Sequence, residues 1–139
     1  MKRLWSTIAA VLLVLTLSFS TVQAGATDPL FVNLTTEDPH RVSMALTFSA
    51  NQQDRKHPIA IFLNDQAVFV GAKAQSGKFA DQQAKLKELM AKGAEVYICP
   101  MCAKHYGVDT TQVLDGIKVG NPDAVGALLF RDGGKTLTW

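Results

Sequence analysis

The stretch Pro-Ile-Ala-Ile-Phe-Leu, residues 58–63, is an apolar run without polar alternation. A strand with one face in water alternates polar and apolar residues, whereas a strand covered on both faces does not. Residues 29–34 have the same character, and shorter runs at 94–98, 116–119 and 135–139 indicate three more strands. The sequence therefore predicts five strands, at least two of them buried on both faces.

Helical periodicity separates the first three of these strands. Apolar or small residues fall at i, i+3, i+4 and i+7 between Val42 and Ser49, and the pattern returns between Leu86 and Met90. Gly93 follows the second segment, at a position that suits the residue after a helix end. The sequence thus predicts a helix in each of these two connections.

Three helix starts share one local signal, a capping residue followed by proline. Asp38, Cys99 and Asn121 each precede a proline, which suits the first helical position. A brief further helix is predicted from Asp109 to the residue before Gly116, because Gln112 completes a pattern similar to a capping box.

Strands that alternate with helices predict a mainly parallel, doubly wound α/β sheet with helices on both faces. We predict the strand order 2-1-3-4-5, in which a ligand crevice opens at the carboxyl ends of strands 1 and 3. Those ends are Asn33 to Thr36 and Cys99. Candidates for lining the crevice are the residues that end strands 1 and 2, namely Thr35, Thr36, Asn64 and Asp65, although strand ends often carry such residues for turn chemistry alone.

The connection from Asp65 to Lys78 contains the apolar triplet Val68-Phe69-Val70. A monomer gains little by exposing such a triplet. We therefore predict either an extra hairpin or a subunit contact here, and the second possibility implies a homo-oligomer.

Composition and charge exclude several classes of protein. With 139 residues, 47% of them hydrophobic and 19% charged, the chain has the composition of one globular domain. The net charge of +2 falls to zero without Lys2 and Arg3, and no basic run is present. Nucleic acid is therefore not a predicted partner.

Residues 1–24 have the pattern of a secretory signal peptide. Lys2 and Arg3 precede an apolar run from Ile8 to Leu17, and Val22-Gln23-Ala24 is a small-x-small cleavage signal. The apolar run is far shorter than the roughly 20 residues that span a bilayer. We predict cleavage near Ala24 and a mature domain, residues 25–139, that is exported without a membrane anchor, into the periplasm if the cell is Gram-negative.

Cys99 and Cys102 form a C-x-x-C pair in this oxidising compartment. At the N-cap, a Cys99 thiolate can accept hydrogen bonds from free N–H groups of the first helical turn, which favours the ionised form. We therefore predict Cys99 as nucleophile and Cys102, one turn on, as its resolving partner. His105 shares the helix face of Cys102, and His105 or the nearby Lys104 can assist proton transfer.

Four interpretations of this pair remain open. A structural disulfide would close a ring of about 4 residues and stabilise by only ~2 kcal/mol. A soft-metal or small-ligand site would use Cys99, Met101, Cys102 and His105, a donor set suited to Cu(I). The other two are thiol-disulfide exchange and carriage of sulfur as a persulfide. No cofactor is predicted, because no phosphate loop, Ser-His-Asp set or carboxylate pair is present in the sequence.

The string from Gly93 to Val108, Gly-Ala-Glu-Val-Tyr-Ile-Cys-Pro-Met-Cys-Ala-Lys-His-Tyr-Gly-Val, resembles the DsrE/DsrF-like family of sulfur-relay proteins. In that family a hydrophobic strand ends in the sulfur-carrying cysteine, whose place Cys99 takes. The resemblance implies a flavodoxin-like subunit, assembled into trimers or hexamers, that exchanges sulfane sulfur with donor or acceptor proteins or small sulfur compounds. Well-understood relay members are cytoplasmic, and Cys102 can attack a persulfide on Cys99, which favours redox turnover over storage.

Overall fold

A computed structural model describes residue 25 and residues 27–139, so the predicted signal peptide lies outside the described residues. Within these described residues the chain forms five strands and five α-helices, which alternate except that two helices follow the second strand. They are β1 (Leu30–Leu34), α1 (Pro39–Asp54), β2 (Ile59–Leu63), α2 (Val68–Gly71), α3 (Ser76–Ala91), β3 (Glu95–Ile98), α4 (Pro100–Tyr106), β4 (Lys118–Val119), α5 (Pro122–Leu129) and β5 (Lys135–Thr138). None of the helices formed by these residues has the length and apolarity needed to cross a membrane.

The five strands form one parallel sheet in the order β4-β3-β2-β1-β5. This confirms the predicted α/β class with a five-stranded parallel sheet of flavodoxin-like type. The predicted order 2-1-3-4-5 is wrong, because β1 pairs with β2 on one side and with β5 on the other. Apolar runs define where strands lie along the chain, but they do not specify lateral neighbours.

The two faces of the sheet are covered unequally. Alternate strand residues such as Val32 and Ile61 pack with α1, α2, α3 and α4 in the main core. Among the described residues, Phe31 and Ala60 on the other face form a smaller cluster with Leu128 of α5 and with partly buried side chains such as Phe62 and Val125. The sheet is thus wound on both faces, with four helices on one and one helix on the other.

With this strand order, the crevice does not lie where the sequence predicts it. The chain leaves β3 through α4 to the four-helix face, and it leaves the adjacent β4 through α5 to the opposite face. Neighbouring strands whose connections diverge in this way open a gap at their carboxyl ends. The crevice therefore lies between the ends of β3 and β4, and not between the ends of strands 1 and 3.

Local capping follows the sequence closely. The Oδ1 atom of Asp38 accepts a hydrogen bond from the Arg41 N–H at 2.8 Å, and Asn121 caps α5 in the same way. Gly93 takes a φ of +97° after the end of α3, as predicted. The brief helix predicted at Asp109 is wrong, because the Asp109 carboxylate accepts bonds from the backbone and hydroxyl of Thr111 and holds a turn instead.

The connection predicted as a hairpin or subunit contact consists of short helical turns that surround α2. Val68 and Val70 are fully buried in the core of their own chain, so they are not available to a partner. The Phe69 ring lies 5.4 Å from the Tyr106 ring, centroid to centroid. The triplet therefore supports α4, and the hairpin interpretation is wrong because the segment is helical.

Candidate functional site

Cys99 occupies the junction of β3 and α4. Its N–H donates to the Leu63 carbonyl at 3.0 Å, which continues the β2–β3 ladder, and its backbone is extended, at φ −70° and ψ 113°. Its Sγ atom accepts a hydrogen bond from the Cys102 N–H at 3.2 Å, so Cys99 is the N-cap of α4 as predicted. A thiolate accepts such a bond more strongly than a thiol, and the first turn of α4 thus supplies a partner for the nucleophilic form.

Cys102 has different surroundings. Both cysteines are free thiols and both are half-buried, but the Cys102 Sγ donates to Oδ1 of Asn64 at 3.1 Å. Burial raises the pKa of Cys102, and interaction of its side chain with the Cys99 side chain raises this pKa further. The backbone N–H of Asp65 has a smaller, opposite effect. Cys102 therefore keeps its proton to a higher pH than an ordinary thiol.

Asn64 and Asp65 connect the cysteine helix to the end of β2. The Asn64 Oδ1 also accepts from the Asp65 N–H at 2.9 Å, and its Nδ2 donates to Oδ1 of Asn33 at 3.3 Å. Asp65 has a φ of +46°, unusual for a residue with a side chain, and its carboxylate accepts from the Tyr106 hydroxyl. This bond raises the pKa of Tyr106. The two residues that follow β2 thus supply the polar groups beside Cys102.

His105 and Lys104 are both exposed. The His105 ring packs edge-on against the Tyr106 ring at 4.7 Å between centroids, and within the described part of the chain neither residue hydrogen-bonds to a thiol. A role for His105 in proton transfer stays a prediction. Over residues 25 and 27–139, no three or more His, Cys, Asp or Glu side chains are grouped to hold a metal.

A crevice of about 570 Å³ opens between the starts of α4 and α5. Cys99 is the cysteine that lines it, and none of the described residues in its lining carries a charge. The lining consists of Phe62, Cys99, Pro100, Met101, Gly120, Asn121, Pro122, Val125, Gly126 and Leu129. A second cavity, of about 540 Å³, lies at the amino ends of the strands, far from the two cysteines. Polar residues such as Gln53 and Lys92 line it.

Sequence reasoning missed most of the crevice. The sequence pattern places Phe62 in a strand, and it does not indicate that Gly120 or Val125 lines a crevice. A signal was present, because Asn121-Pro122 repeats the helix start of Cys99-Pro100. Two such starts at the ends of adjacent strands define this crevice, but their adjacency depends on the strand order.

Solved structures of other proteins share the fold. The YchN protein of E. coli is 20% identical with a TM-score of 0.68, and the match covers 81% of this chain and 99% of that one. A conserved protein of unknown function from Bacteroides thetaiotaomicron is 21% identical with a TM-score of 0.60, over 81% of this chain and 95% of its own. At these identities the likeness shows the fold alone. A search of curated protein sequences finds no significant match.

The family comparison covers the whole sheet. The profile of the DsrE/DsrF-like family matches residues 30–138, from the first residue of β1 to the last residue of β5. The matched region includes both cysteines and the crevice between α4 and α5. The chain therefore belongs to the DsrE/DsrF-like family, which indicates a role in sulfur relay or redox chemistry.

Proposed function

We propose that this protein is an exported sulfur-transfer or thiol-redox protein in which Cys99 is the attacking thiolate and Cys102 the resolving thiol. The observation that carries the proposal is the unequal environment of the two thiols. Cys99 lines the crevice and accepts the Cys102 N–H at 3.2 Å, whereas Cys102 donates its proton to Asn64. Cys99 can therefore meet a substrate in the crevice, and Cys102, one helical turn away, can act in a second step.

The chemistry divides into two displacements. In the first, the Cys99 thiolate attacks a sulfur of a disulfide substrate, the substrate S–S bond breaks, and one half leaves as a thiolate. With a persulfide or polysulfide donor, Cys99 instead takes the terminal sulfur and the donor leaves with one sulfur fewer. Cys99 then carries either a mixed disulfide or a persulfide.

In the second displacement, Cys102 loses its proton and attacks the Cys99 Sγ. The bound group leaves as a thiolate, or as sulfide from a persulfide, and the pair becomes an internal disulfide. The two electrons that reduce the substrate come from the two cysteines. Because Cys102 lies one helical turn from Cys99, its attack favours redox turnover over long storage of sulfur.

The test compares the native protein with Cys102→Ser after incubation with an inorganic polysulfide, followed by rapid quenching and mass spectrometry. Serine keeps a hydroxyl that can donate to Asn64, so the site retains its hydrogen bond. We expect the native protein to accumulate as the disulfide and Cys102→Ser to accumulate a persulfide on Cys99. Cys99→Ser serves as control. If Cys99→Ser gains sulfur as readily as Cys102→Ser does, the proposal fails.

We also propose that the mature protein is a homo-oligomer. The support is a set of exposed apolar side chains that includes Phe130 at 82% exposure and Met44 at 48%, which contact with a second copy would remove from water. Light scattering of residues 25–139 tests this. A monomer at micromolar concentration contradicts it.

A further inference from the structure

We infer that the crevice between α4 and α5 selects organic disulfides R–S–S–R whose substituents R are uncharged and apolar, and that it presents one of their sulfurs to Cys99. The inference rests on the proposed function of Cys99, because it names the class of substrate that this thiol meets. The crevice volume of about 570 Å³ falls in the range of small-ligand sites.

The lining is what excludes charged substituents. None of the described residues around the crevice carries a charge, and its polar side chain, Asn121, already uses Oδ1 to accept the Ala124 N–H at 2.8 Å. A carboxylate or ammonium group that entered would lose water, and no charged side chain of the described lining would pair with it, which is unfavourable. Glutathione-like disulfides, which carry several charges, are therefore poor occupants.

An uncharged, apolar substituent would gain contacts with apolar side chains of the crevice. Phe62, Val125 and Leu129 form part of the lining from the thinly covered face of the sheet. Met101, at 81% exposure, stands beside Cys99 in the same lining. A methionine side chain adapts to irregular apolar ligands, so a bound substituent would bury surface that water now contacts.

Gly120 and Gly126 line the crevice, and their lack of a side chain leaves it open. A Cβ on Gly120 would come within 3.1 Å of Val125 Cγ2 and 3.3 Å of Phe62 Cε2, two side chains of the lining. A Cβ on Gly126, which also lines the crevice, would meet no atom within 4 Å. A larger side chain at position 126 therefore enters open space, and it offers a way to alter the crevice without strain.

The chemical step is a simple exchange. The Cys99 thiolate forms a bond to one substrate sulfur, the substrate S–S bond breaks, and R–S⁻ leaves with the electron pair. The product is Cys99–S–S–R with R in the crevice. The disulfide substrate is itself the oxidant.

The experiment uses two thiol reagents with the same leaving group, methanesulfinate. Benzyl methanethiosulfonate transfers an apolar group and 2-sulfonatoethyl methanethiosulfonate an anionic one. Their rates with Cys99 are measured in the Cys102→Ser background, and the rate ratio is divided by that for a neutral free cysteine derivative. We expect the normalised ratio to favour the benzyl reagent by at least about tenfold, the scale on which an apolar pocket discriminates.

Variants locate the effect. Gly126→Leu adds bulk at the crevice lining and Gly126→Asp adds a charge there, and each should lower the benzyl preference severalfold. Gly77→Leu is the matched control, because Gly77 is also helical with no atom within 4 Å of a Cβ and lies on α3 outside the crevice lining. It should leave the preference unchanged.

The outcomes separate the two claims. If Cys99 reacts readily with both reagents at the ratio of the free thiol, the inference is overturned and the proposed function stands. A preference that survives both Gly126 variants likewise overturns the assignment to this crevice. If Cys99 reacts with neither reagent, the proposed function itself fails.

Discussion

The Sγ atom of Cys102 lies 3.1 Å from Oδ1 of Asn64, a residue 38 positions earlier at the end of the neighbouring strand. This bond is made by the protonated thiol, since a thiolate has no hydrogen to donate. The Cys99 sulfur accepts a backbone N–H instead. One sulfur of the motif is thus a hydrogen-bond acceptor and the other a hydrogen-bond donor.

Alkylation of the reduced protein should therefore be selective. With iodoacetamide at neutral pH, we expect Cys99 to be labelled at least about tenfold faster than Cys102, because the thiolate is the reactive form. Peptide mass spectrometry over time gives both rates, and Cys99→Ser gives the rate of Cys102 alone. Equal rates would contradict the assignment of the nucleophile.

Closure of the internal disulfide should depend on pH. Burial raises the pKa of Cys102, so at neutral pH only a small fraction is thiolate, and below the raised pKa that fraction falls about tenfold for each pH unit. The release of benzyl thiol from a preformed Cys99 adduct should accordingly speed up as the pH rises, up to and beyond the ordinary pKa of a thiol. A rate that is flat with pH would show that ionisation of Cys102 does not control the step.

Asn64→Asp should slow the same closure step. The change keeps the size of the side chain but places a carboxylate beside Cys102, which raises the pKa of this thiol further. We expect closure to be about tenfold slower at neutral pH, with first-step reaction of Cys99 nearly unchanged. Asn51→Asp, the same substitution on the exposed surface of α1, is the control and should leave both rates as they are.

Gly120→Ala should destabilise the fold. Its Cβ would lie 3.1 Å from the Ile98 carbonyl oxygen and 3.1 Å from Val125 Cγ2, and overpacking of this kind costs about 1–3 kcal/mol. Denaturant unfolding measures the loss. Gly77→Ala, where the Cβ meets nothing within 4 Å, should leave the free energy of unfolding unchanged or raise it by up to about 1 kcal/mol. Equal stability of the two variants would contradict the predicted crowding at position 120.

Processing is testable on the native protein. If residues 1–24 are a cleaved signal peptide, sequencing should find Gly25 at the N-terminus, and the protein should be extracted without detergent. A chain that retains Met1 and sediments with membranes would refute this prediction.

The parts of the fold that depend on neighbours in sequence were predictable. The apolar run 58–63 contains β2, and Asp38, Cys99 and Asn121 each cap the helix that their following proline begins. In each case the signal and the structure lie within a few residues of one another. The N-cap position of Cys99, on which the proposed chemistry depends, belongs to this class.

The parts that depend on distant residues were not predictable. Nothing local to β1 specifies β2 and β5 as its neighbours, so the crevice was expected beside Asn33 to Thr36 and lies beside Gly120 instead. The contact of Asn64 with Cys102 likewise requires β2 to lie next to β3, and the residues at the end of β2 do not specify that neighbour. The location of the crevice and the partner of Cys102 both depend on the order of the strands.

The pairing of β1 with β5 has a consequence for how the chain acquires its structure. Trp139 donates its N–H to Asn33 and accepts that of Thr35, across 104 positions in the latter case. A chain made from its N-terminus therefore holds β1 with one edge open until residues 135–138 are available, and closing so long a loop is entropically costly. Pairing of β1 with β5 therefore follows the synthesis of every strand between them, and a chain stopped before Lys135 would present an unpaired parallel edge that favours aggregation.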